Sequence, residues 1–268
     1  MRLPKFFTPQ NQTLLRQLVI TDFKLRYQGS MLGYLWSLLK PLLLFSVLYV
    51  VFTYVLPVGK DVPHYPAYLL LGIVLWTFFV EATSLGMGSI VGRGDLIRKV
   101  KISKPAIVIA STLSAGVNLC LNLLVVVLFM VLTSAELQPE FIYFPFLIIE
   151  LVLFALAASL FLSALYVKFR DIAPIWEVIL QIMFYATPII YPLTLVKSET
   201  LLSIISLNPV AQILQDARYI LITPETITTH QVLPLWLSIG IPIVSLSVLI
   251  VVSILFFKKS AKSFAENL

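Results

Sequence analysis

The sequence predicts an all-α integral membrane protein with six transmembrane helices. Three observations lead to this fold class: an apolar composition, six long apolar segments, and basic residues that concentrate in alternate connections. Hydrophobic residues make up 59% of the 268 residues and charged residues 12%, whereas soluble domains contain roughly 45 to 50% apolar and about 25% charged residues. We therefore expect a single membrane-embedded domain.

Six apolar segments are long enough to cross a bilayer, which takes about 20 apolar residues in a helix. They cover residues 32–56, 67–90, 106–133, 141–167, 172–191 and 233–257. The fifth segment is the shortest, and Pro188 and Pro192 near its end disfavour a continued helix. We expect the fifth helix to end early or to bend.

The distribution of basic residues predicts the orientation of these helices. With the N-terminus inside, only Lys60, Lys197 and Arg218 of the nineteen Lys and Arg residues fall outside. Basic residues collect on the cytoplasmic side of membrane proteins, so the pattern predicts that both termini are cytoplasmic. The net charge of +6 then reflects topology, and we expect no nucleic-acid partner.

These predictions divide the chain into three parts. Residues 1–31 form a cytoplasmic N-terminus, residues 32–257 the transmembrane domain and residues 258–268 a cytoplasmic tail. Within the transmembrane domain, residues 91–105 form a cytoplasmic loop that contains a short helix. Residues 192–231 form an outer segment that contains short helices, at or partly inside the outer leaflet.

The N-terminal part is predicted to contain an amphipathic interfacial helix. Leu15, Val19, Phe23 and Tyr27 recur at spacings of four and place apolar side chains on one helix face. Such a helix lies in the membrane interface. A cytosolic helix packed on a partner protein remains the alternative.

The sequence carries no pattern for catalysis, nucleotide binding or a metal. It has no G-x-x-x-x-G-K-[ST] loop, no H-E-x-x-H and no G-x-S-x-G. Its one cysteine, Cys120, lies in an apolar run, and His64 and His230 stand apart in outer loops. We expect no catalytic residue, no metal ligand and no cofactor in this chain.

Polar residues inside the predicted spans leave two interpretations open. Glu81, Glu150 and Glu177 are carboxylates in apolar segments, where they are costly and usually face protein or water. Asn118 and Asn122 are four residues apart and share a helix face. Such groups form hydrogen bonds between helices or line a substrate path.

Two cytoplasmic connections carry distinctive charge patterns. In residues 95–100, Leu96, Ile97 and Val100 form an apolar edge among charged residues, which suits a short helix that docks on a soluble partner. A merely basic loop is the alternative. At the next connection we expect Arg170 and Asp171 to neutralise each other and to cap the fifth helix.

Six strings in the same order resemble the permease subunits of type 2 ABC exporters, in particular the branch that exports O-antigen, capsule and teichoic-acid polymers. They are YQGSMLGYLW at 27–36 with Pro41 beyond it, GIVLWTFF at 72–79, LIRKV at 96–100, FRDI at 169–172, YATPIIYP at 185–192 and LNP at 207–209. The resemblance covers nearly the whole chain. One departure is KISKP at 101–105, where relatives place an aromatic residue and a proline earlier.

The resemblance implies roles for residues along the chain. It implies that two copies pair around a central path and that each docks a separate ABC ATPase subunit, present in two copies, which binds ATP and Mg. The implied ATPase-coupling residues are Asp95, Leu96, Ile97, Arg98, Lys99 and Val100. The implied substrate path contains Tyr34, Trp36, Phe45, Tyr49 and Tyr185. The implied outer gate contains Pro188, Tyr191, Pro192, Asn208 and Pro209.

The function implied by the resemblance is ATP-driven export of a lipid-linked polysaccharide, as in lipopolysaccharide biosynthesis. The chain would be the multi-pass, homodimeric subunit of this exporter in the bacterial cytoplasmic (inner) membrane, in contact with membrane lipid. An exporter of the same fold for a small lipophilic drug or a lipid is the first alternative. An ATP-independent secondary transporter, which requires ion-coupling residues, and a membrane-bound transferase or hydrolase are the others.

Overall fold

The computed structural model describes residues 9–27, 32–56, 58–99, 103–135, 138–262 and 264. Across these residues the chain is a helical bundle with no strand. Its helices are α1 (Pro9–Tyr27), α2 (Trp36–Val50), α3 (Tyr65–Gly88), α4 (Gly94–Lys99), α5 (Lys104–Leu132), α6 (Phe144–Lys168), α7 (Ile172–Ala186), α8 (Glu199–Ser206), α9 (Pro209–Leu221), α10 (Thr229–Val232) and α11 (Leu235–Ser260).

Five helical segments in the described part of the chain are long and apolar enough to cross a membrane. They are Gly33–Val55, Tyr65–Ser89, Lys104–Leu132, Pro139–Lys168 and Leu235–Ser260. The remaining predicted span, the fifth in chain order, is α7, which has 15 residues and is therefore about 22 Å long, less than the roughly 30 Å of a bilayer core. The fifth helix thus ends early, as predicted, because Thr187 leaves the helical conformation ahead of Pro188.

Helix α3 is the centre of the bundle. It packs against α2, α5, α6, α7 and α9, and 72% of its membrane-spanning window is buried. The helix is apolar almost all round, which is typical of a helix enclosed by others. Small residues allow close approach: Gly86 lies against the Cβ and Oγ atoms of Ser159 on α6.

Both described ends of the chain lie at one end of the bundle, which we call the basic end. A buried apolar cluster there joins Ile107 of α5, Val167 of α6 and Phe257 of α11, with Leu18 of α1 packed against it. The Lys104 ammonium donates a hydrogen bond to the carbonyl of Ala261. Helix α1 also packs along α5, so it is a part of the bundle.

Short helices close the opposite end of the bundle, as the sequence predicts for residues 192–231. Asn208 caps α9, since its Oδ1 accepts a hydrogen bond from the amide of Val210, and Pro209 occupies the first helical position. Most side chains of α9 are buried. Helix α9 packs on α3, α6, α8, α10 and α11.

Candidate functional site

One face of α3 lines a polar groove, which we call the α3 groove. From Thr77 to Gly88, the only half-buried positions of the helix are Thr77, Val80, Glu81, Ser84, Leu85 and Gly88. Their spacing is that of a single helix face. All six line two cavities that share Leu85, of about 510 Å³ and about 570 Å³. The two cavities therefore follow each other along α3 towards the basic end.

The first cavity contains polar groups at the depth of the membrane-spanning helices. Trp36, Lys40 and Pro41 of α2 line it opposite Glu81, together with Asn118 and Asn122 of α5. Asn118 Nδ2 donates to Glu81 Oε1 at 2.6 Å, and Asn122 Nδ2 donates to the carbonyls of Ser37 at 3.1 Å and Asn118 at 2.8 Å. The Asn118 and Asn122 side chains therefore hold α2, α3 and α5 together and also face the groove.

The second cavity lies nearer the basic end. It is lined by residues of α3 together with Asp22 of α1, Arg93 of the segment before α4, and Ser111 of α5. Arg93 forms an ion pair with Asp22 through Nη2, while its Nη1 atom is buried and has no hydrogen-bond partner among the residues that the structure describes. A guanidinium group with unused donors beside a cavity suits an anion or a polar oxygen.

The aromatic residues expected to line a path lie in different parts of the structure. Tyr34 and Trp36 are exposed on the chain surface, and Trp36 lines the α3 groove. Phe45 is buried, 5.1 Å from the ring of Phe129 and 5.6 Å from Tyr49. Tyr185 is 62% exposed at the end of α7. The structure does not bring these five side chains into one cluster.

The predicted coupling residues form a short helix at the basic end. Helix α4 covers Asp95 to Lys99, and Val100 lies outside the described residues. Asp95, Arg98 and Lys99 are exposed, whereas Leu96 and Ile97 are half-buried and Ile97 packs against the basic-end cluster. The exposed residues of α4 are therefore charged, and Ile97 contacts the bundle.

The Arg170–Asp171 connection differs from the prediction. Asp171 occupies the N-cap position of α7, but its carboxylate makes no capping hydrogen bond, because Asp171 itself has helical backbone angles. A side-chain cap requires an extended residue at this position. The Arg170 guanidinium lies 5.3 Å from the centre of the Tyr166 ring. The expected capping role of Asp171 is therefore wrong.

The candidate gate residues surround the turn that follows α7. Asn208 Nδ2 donates to Thr187 Oγ1 at 3.0 Å, and Tyr191 Oη donates to the carbonyl of Tyr185 at 3.2 Å. Pro188 offers its carbonyl to Arg218 at 2.5 Å. Pro192 lines a small cavity of about 50 Å³, and Pro209 begins α9. All five candidates thus lie around the same turn.

Sequence reasoning placed Arg218 on the outer side of the membrane and did not identify it as a functional residue. The side chain is fully buried and lies over the Tyr68 ring, 3.7 Å from its centre. Its one signal in the sequence is its place among the apolar residues of 209–221. Asp216, two residues away, is also largely enclosed, and burial raises the pKa of its carboxyl to about 6, while the nearby His230 lowers it in part.

Metal ligands are not grouped in the described part of the chain. No three His, Cys, Asp or Glu side chains there lie close enough to hold one ion. The polar groups of the α3 groove are amides, hydroxyls, the Glu81 and Asp22 carboxylates and the Lys40 and Arg93 cations. Such groups can form hydrogen bonds with a polar solute.

Comparisons with known proteins agree with the resemblance stated above. Residues 13–222 match the family described as ABC-2 type transporter. The O-antigen export system permease protein RfbA of Myxococcus xanthus is 34% identical over 209 residues, which cover 76% of this chain and 78% of that protein. Two proteins of the same name from Klebsiella pneumoniae are 29% and 27% identical over 198 residues, which cover 74% of this chain and 75% of each. This chain belongs to the ABC-2 type transporter family.

Proposed function

We propose that this chain is the transmembrane subunit of an ATP-driven exporter of lipid-linked polysaccharide of the O-antigen type. The relatives named for O-antigen export support the substrate class. The single observation that carries the proposal on this chain is the α3 groove, a row of polar groups inside the membrane-spanning helices. Polar groups at this depth are costly and are usually kept for a pathway.

The chemistry of the groove suits sugars. Sugar hydroxyls both donate and accept hydrogen bonds, so the Glu81 carboxylate, the Asn118 amide and the serine hydroxyls are matching partners. Trp36 adds a flat apolar surface on which a sugar ring can stack. Apolar side chains also line both cavities, so the choice between a glycan and a small lipophilic drug is supported by the relatives reported above, which are named for O-antigen export and not for drug export.

Membership in this family implies a separate ATPase partner. We propose that two copies of this chain associate with two ATPase subunits, which bind ATP and Mg, and that the charged surface of α4 contacts them. In this arrangement the basic end faces the cytoplasm, and the protein spans the bacterial inner membrane with both termini inside. The charge distribution supports this orientation.

Purification of the intact complex from its native host tests the proposal. We expect an ATPase subunit to be retained at one copy per copy of this chain. After reconstitution into liposomes, we expect lipid-linked glycan to reach the lumen only when ATP is added. A complex that retains an ATPase but moves a fluorescent phospholipid and no glycan would point to the lipid-exporter alternative. A chain isolated without any ATPase would contradict the proposal.

A further inference from the structure

The turn after α7 is held in place by side chains from distant parts of the chain. Residues 187–190 are all buried. Thr187 Oγ1 accepts a hydrogen bond from Asn208, and the carbonyls of Pro188 and Ile189 accept from Arg218. The carbonyl of Ile190 accepts a hydrogen bond from Tyr65 Oη at 3.1 Å. Each residue of the turn is thus bonded to a side chain of α3 or of the α9 segment.

This turn is also where α7 is attached to the bundle. Within α7 itself, Leu180 is the only buried residue. The indole nitrogen of Trp176 donates to Thr83 Oγ1 at 3.2 Å and adds one polar contact to α3. Helix α7 is largely exposed, whereas the turn is fully buried. Residues 187–190 are therefore the main anchor of α7 at the end of the bundle opposite the basic end.

Arg218 makes most of the bonds in this anchor. Its Nη2 atom donates to Ile189 O at 2.6 Å and its Nη1 atom to Pro188 O at 2.5 Å, while Nε donates to Tyr68 O on α3 at 3.1 Å. Nη1 also donates to Gln215 Oε1 at 3.0 Å. The planar guanidinium therefore joins three chain segments, and lysine cannot reproduce this fixed arrangement of donors.

The cost of burying the Arg218 charge indicates that this residue serves to position α3 and the turn relative to each other. All four acceptors of Arg218 are neutral oxygens, so no carboxylate offsets the cost of burying its charge. An apolar side chain of similar size often packs in such a place at no loss of stability. What the guanidinium adds is a defined distance and orientation between α3 and the turn.

Glycine at position 72 leaves the space that Arg218 needs. A Cβ atom at Gly72 on α3 would meet Arg218 Nη2 and would lie 2.9 Å from the carbonyl oxygen of Ile189. A methyl group there would push the guanidinium and the turn away from α3. Gly72 and Arg218 are therefore the two sides of one contact.

We propose that Arg218 is a positioning residue that fixes the end of α7 to α3, so that α3 with its groove and the turn at 187–190 move as one body during transport. The inference rests on the proposed function, because it assigns this contact a role in export. It adds a named residue and a named pair of elements whose relative position stays constant.

Two substitutions break the contact from opposite sides. Arg218→Gln removes the donors to Pro188 and Ile189, and Gly72→Ala displaces them. In the reconstituted complex we expect each variant to consume roughly tenfold more ATP per glycan moved, the effect expected for the loss of hydrogen bonds to a charged group. We expect the double variant to differ little from Arg218→Gln, since Nη2 is gone and only the close contact of the new methyl group with the carbonyl oxygen of Ile189 remains. Gly240→Ala is the control, because a Cβ atom there has nothing within 4 Å.

Cross-linking tests the same point without disturbing Arg218. With Cys120 replaced by serine, Tyr65→Cys and Ile190→Cys are bridged by a short bis-methanethiosulfonate reagent, which links the two thiols through disulfides that a reductant cleaves. We expect the bridged complex to export glycan at the rate of the unbridged double-cysteine protein. A bridge that lowers export tenfold or more, with recovery after reduction, would show that the two elements separate and would overturn the inference.

Different results would contradict the proposed function and the role of Arg218. An unsubstituted complex that moves no glycan contradicts the proposed function. An unsubstituted complex that exports glycan, together with folded Arg218→Gln and Gly72→Ala complexes that use no more ATP per glycan than Gly240→Ala, overturns the role of Arg218. Where Arg218→Gln yields no monodisperse complex, the cross-linking result decides.

Discussion

Glu81 is a carboxylate in the middle of a membrane-spanning helix, and its surroundings explain how the chain accommodates it. Its Oε1 atom accepts a hydrogen bond from Asn118, and the side chain faces the α3 groove rather than lipid. Lys40 lines the same cavity and supplies a positive charge. A carboxylate has several acceptor lone pairs, so a polar solute in this cavity can hydrogen-bond to Glu81 beside Asn118.

This position predicts the effect of substitutions at Glu81. Glu81→Leu removes the acceptor from the groove, so we expect at least a roughly tenfold fall in glycan export. Glu81→Gln keeps an acceptor oxygen for Asn118, so we expect it to retain more activity than Glu81→Leu. Export is measured in liposomes, with the amount of monodisperse complex as the folding control. Unchanged export by a folded Glu81→Leu complex would remove Glu81 from the path.

The raised pKa of Asp216 predicts a pH-dependent stability. Because its folded-state pKa of about 6 exceeds the unfolded value of about 3.9, the ionised form is the less favourable one in the folded protein. The resulting destabilisation of the folded protein is complete well above pH 6. It decreases as the pH falls from about 6 towards the unfolded pKa and is absent below that pKa. Glu150 of α6 and His230 are the titratable neighbours of this carboxyl.

Replacing Asp216 by Asn removes this destabilisation. We expect Asp216→Asn to raise the free energy of unfolding at pH 7.5 by on the order of 1 to 2 kcal/mol and to have little effect near pH 4. Thermal unfolding of the detergent-solubilised complex, followed by tryptophan fluorescence, measures the difference. Glu225→Gln, at an exposed carboxylate in the same outer segment, is the control. Equal stabilisation by Asp216→Asn at both pH values would contradict the assignment.

At the scale of elements, α3 and α6 depend on a contact between two small residues. Ser159 Oγ donates to the carbonyl of Ala82 at 3.0 Å, and Gly86 lies directly against Ser159. We expect Gly86→Ala to separate the helices and to destabilise the protein by about 1 to 3 kcal/mol, as overpacking does in a dense core. Gly116→Ala on α5, where a Cβ atom meets nothing within 4 Å, should leave the melting temperature unchanged. Equal melting temperatures for both variants would count against this packing.

The contact between α1 and the segment before α4 is the second element-scale prediction. Asp22 and Arg93 pair there beside the second cavity. We expect Arg93→Asp to uncouple ATP hydrolysis from export, because two carboxylates then face each other and displace the segment that leads into α4. The exchange variant Asp22→Arg with Arg93→Asp restores opposite charges and should recover most of the coupling. ATP hydrolysed per glycan is the readout, and an exchange variant no better than Arg93→Asp would refute the role of the pair.

Some elements were predictable because their causes are local. Long apolar runs predicted the spans, and Pro188 predicted the early end of α7. Asn208 and Pro209 predicted the start of α9 through their own backbone preferences. Arg218 was not predictable in this way, because the carbonyls it contacts belong to residues 150 and 30 positions away. The α3 groove was missed for a similar reason, since it requires α2 and α5 to face the same side of α3.

At the scale of the whole molecule, α7 exposes polar groups at membrane depth. Glu177 and Gln181 are both exposed on this helix and share one of its faces. Carboxylates within membrane-spanning helices face protein or water rather than lipid. This face therefore suits contact with the second copy of the chain that we propose.

Cysteine cross-linking tests the placement of this face. With Cys120 replaced by serine, Gln181→Cys should form a disulfide or a short cross-link with a second copy in native membranes. Val248→Cys on α11, which is equally exposed but lies among apolar residues, should remain monomeric on a denaturing gel. Cross-linked dimers from Val248→Cys and none from Gln181→Cys would show that the two copies contact each other through α11 and not through α7.

The cluster at the basic end has a consequence for biosynthesis. It brings Leu18 of α1 together with Ile107 of α5, Val167 of α6 and the distant Phe264. Contacts between residues so far apart in sequence form late in folding. The contacts of α3 with α5 and α6 require only the first 168 residues. The contacts among α3, α5 and α6 are therefore able to form while the ribosome is still translating the later helices, whereas the cluster beside the surface proposed to receive the ATPase is completed only after residue 264 has been synthesised.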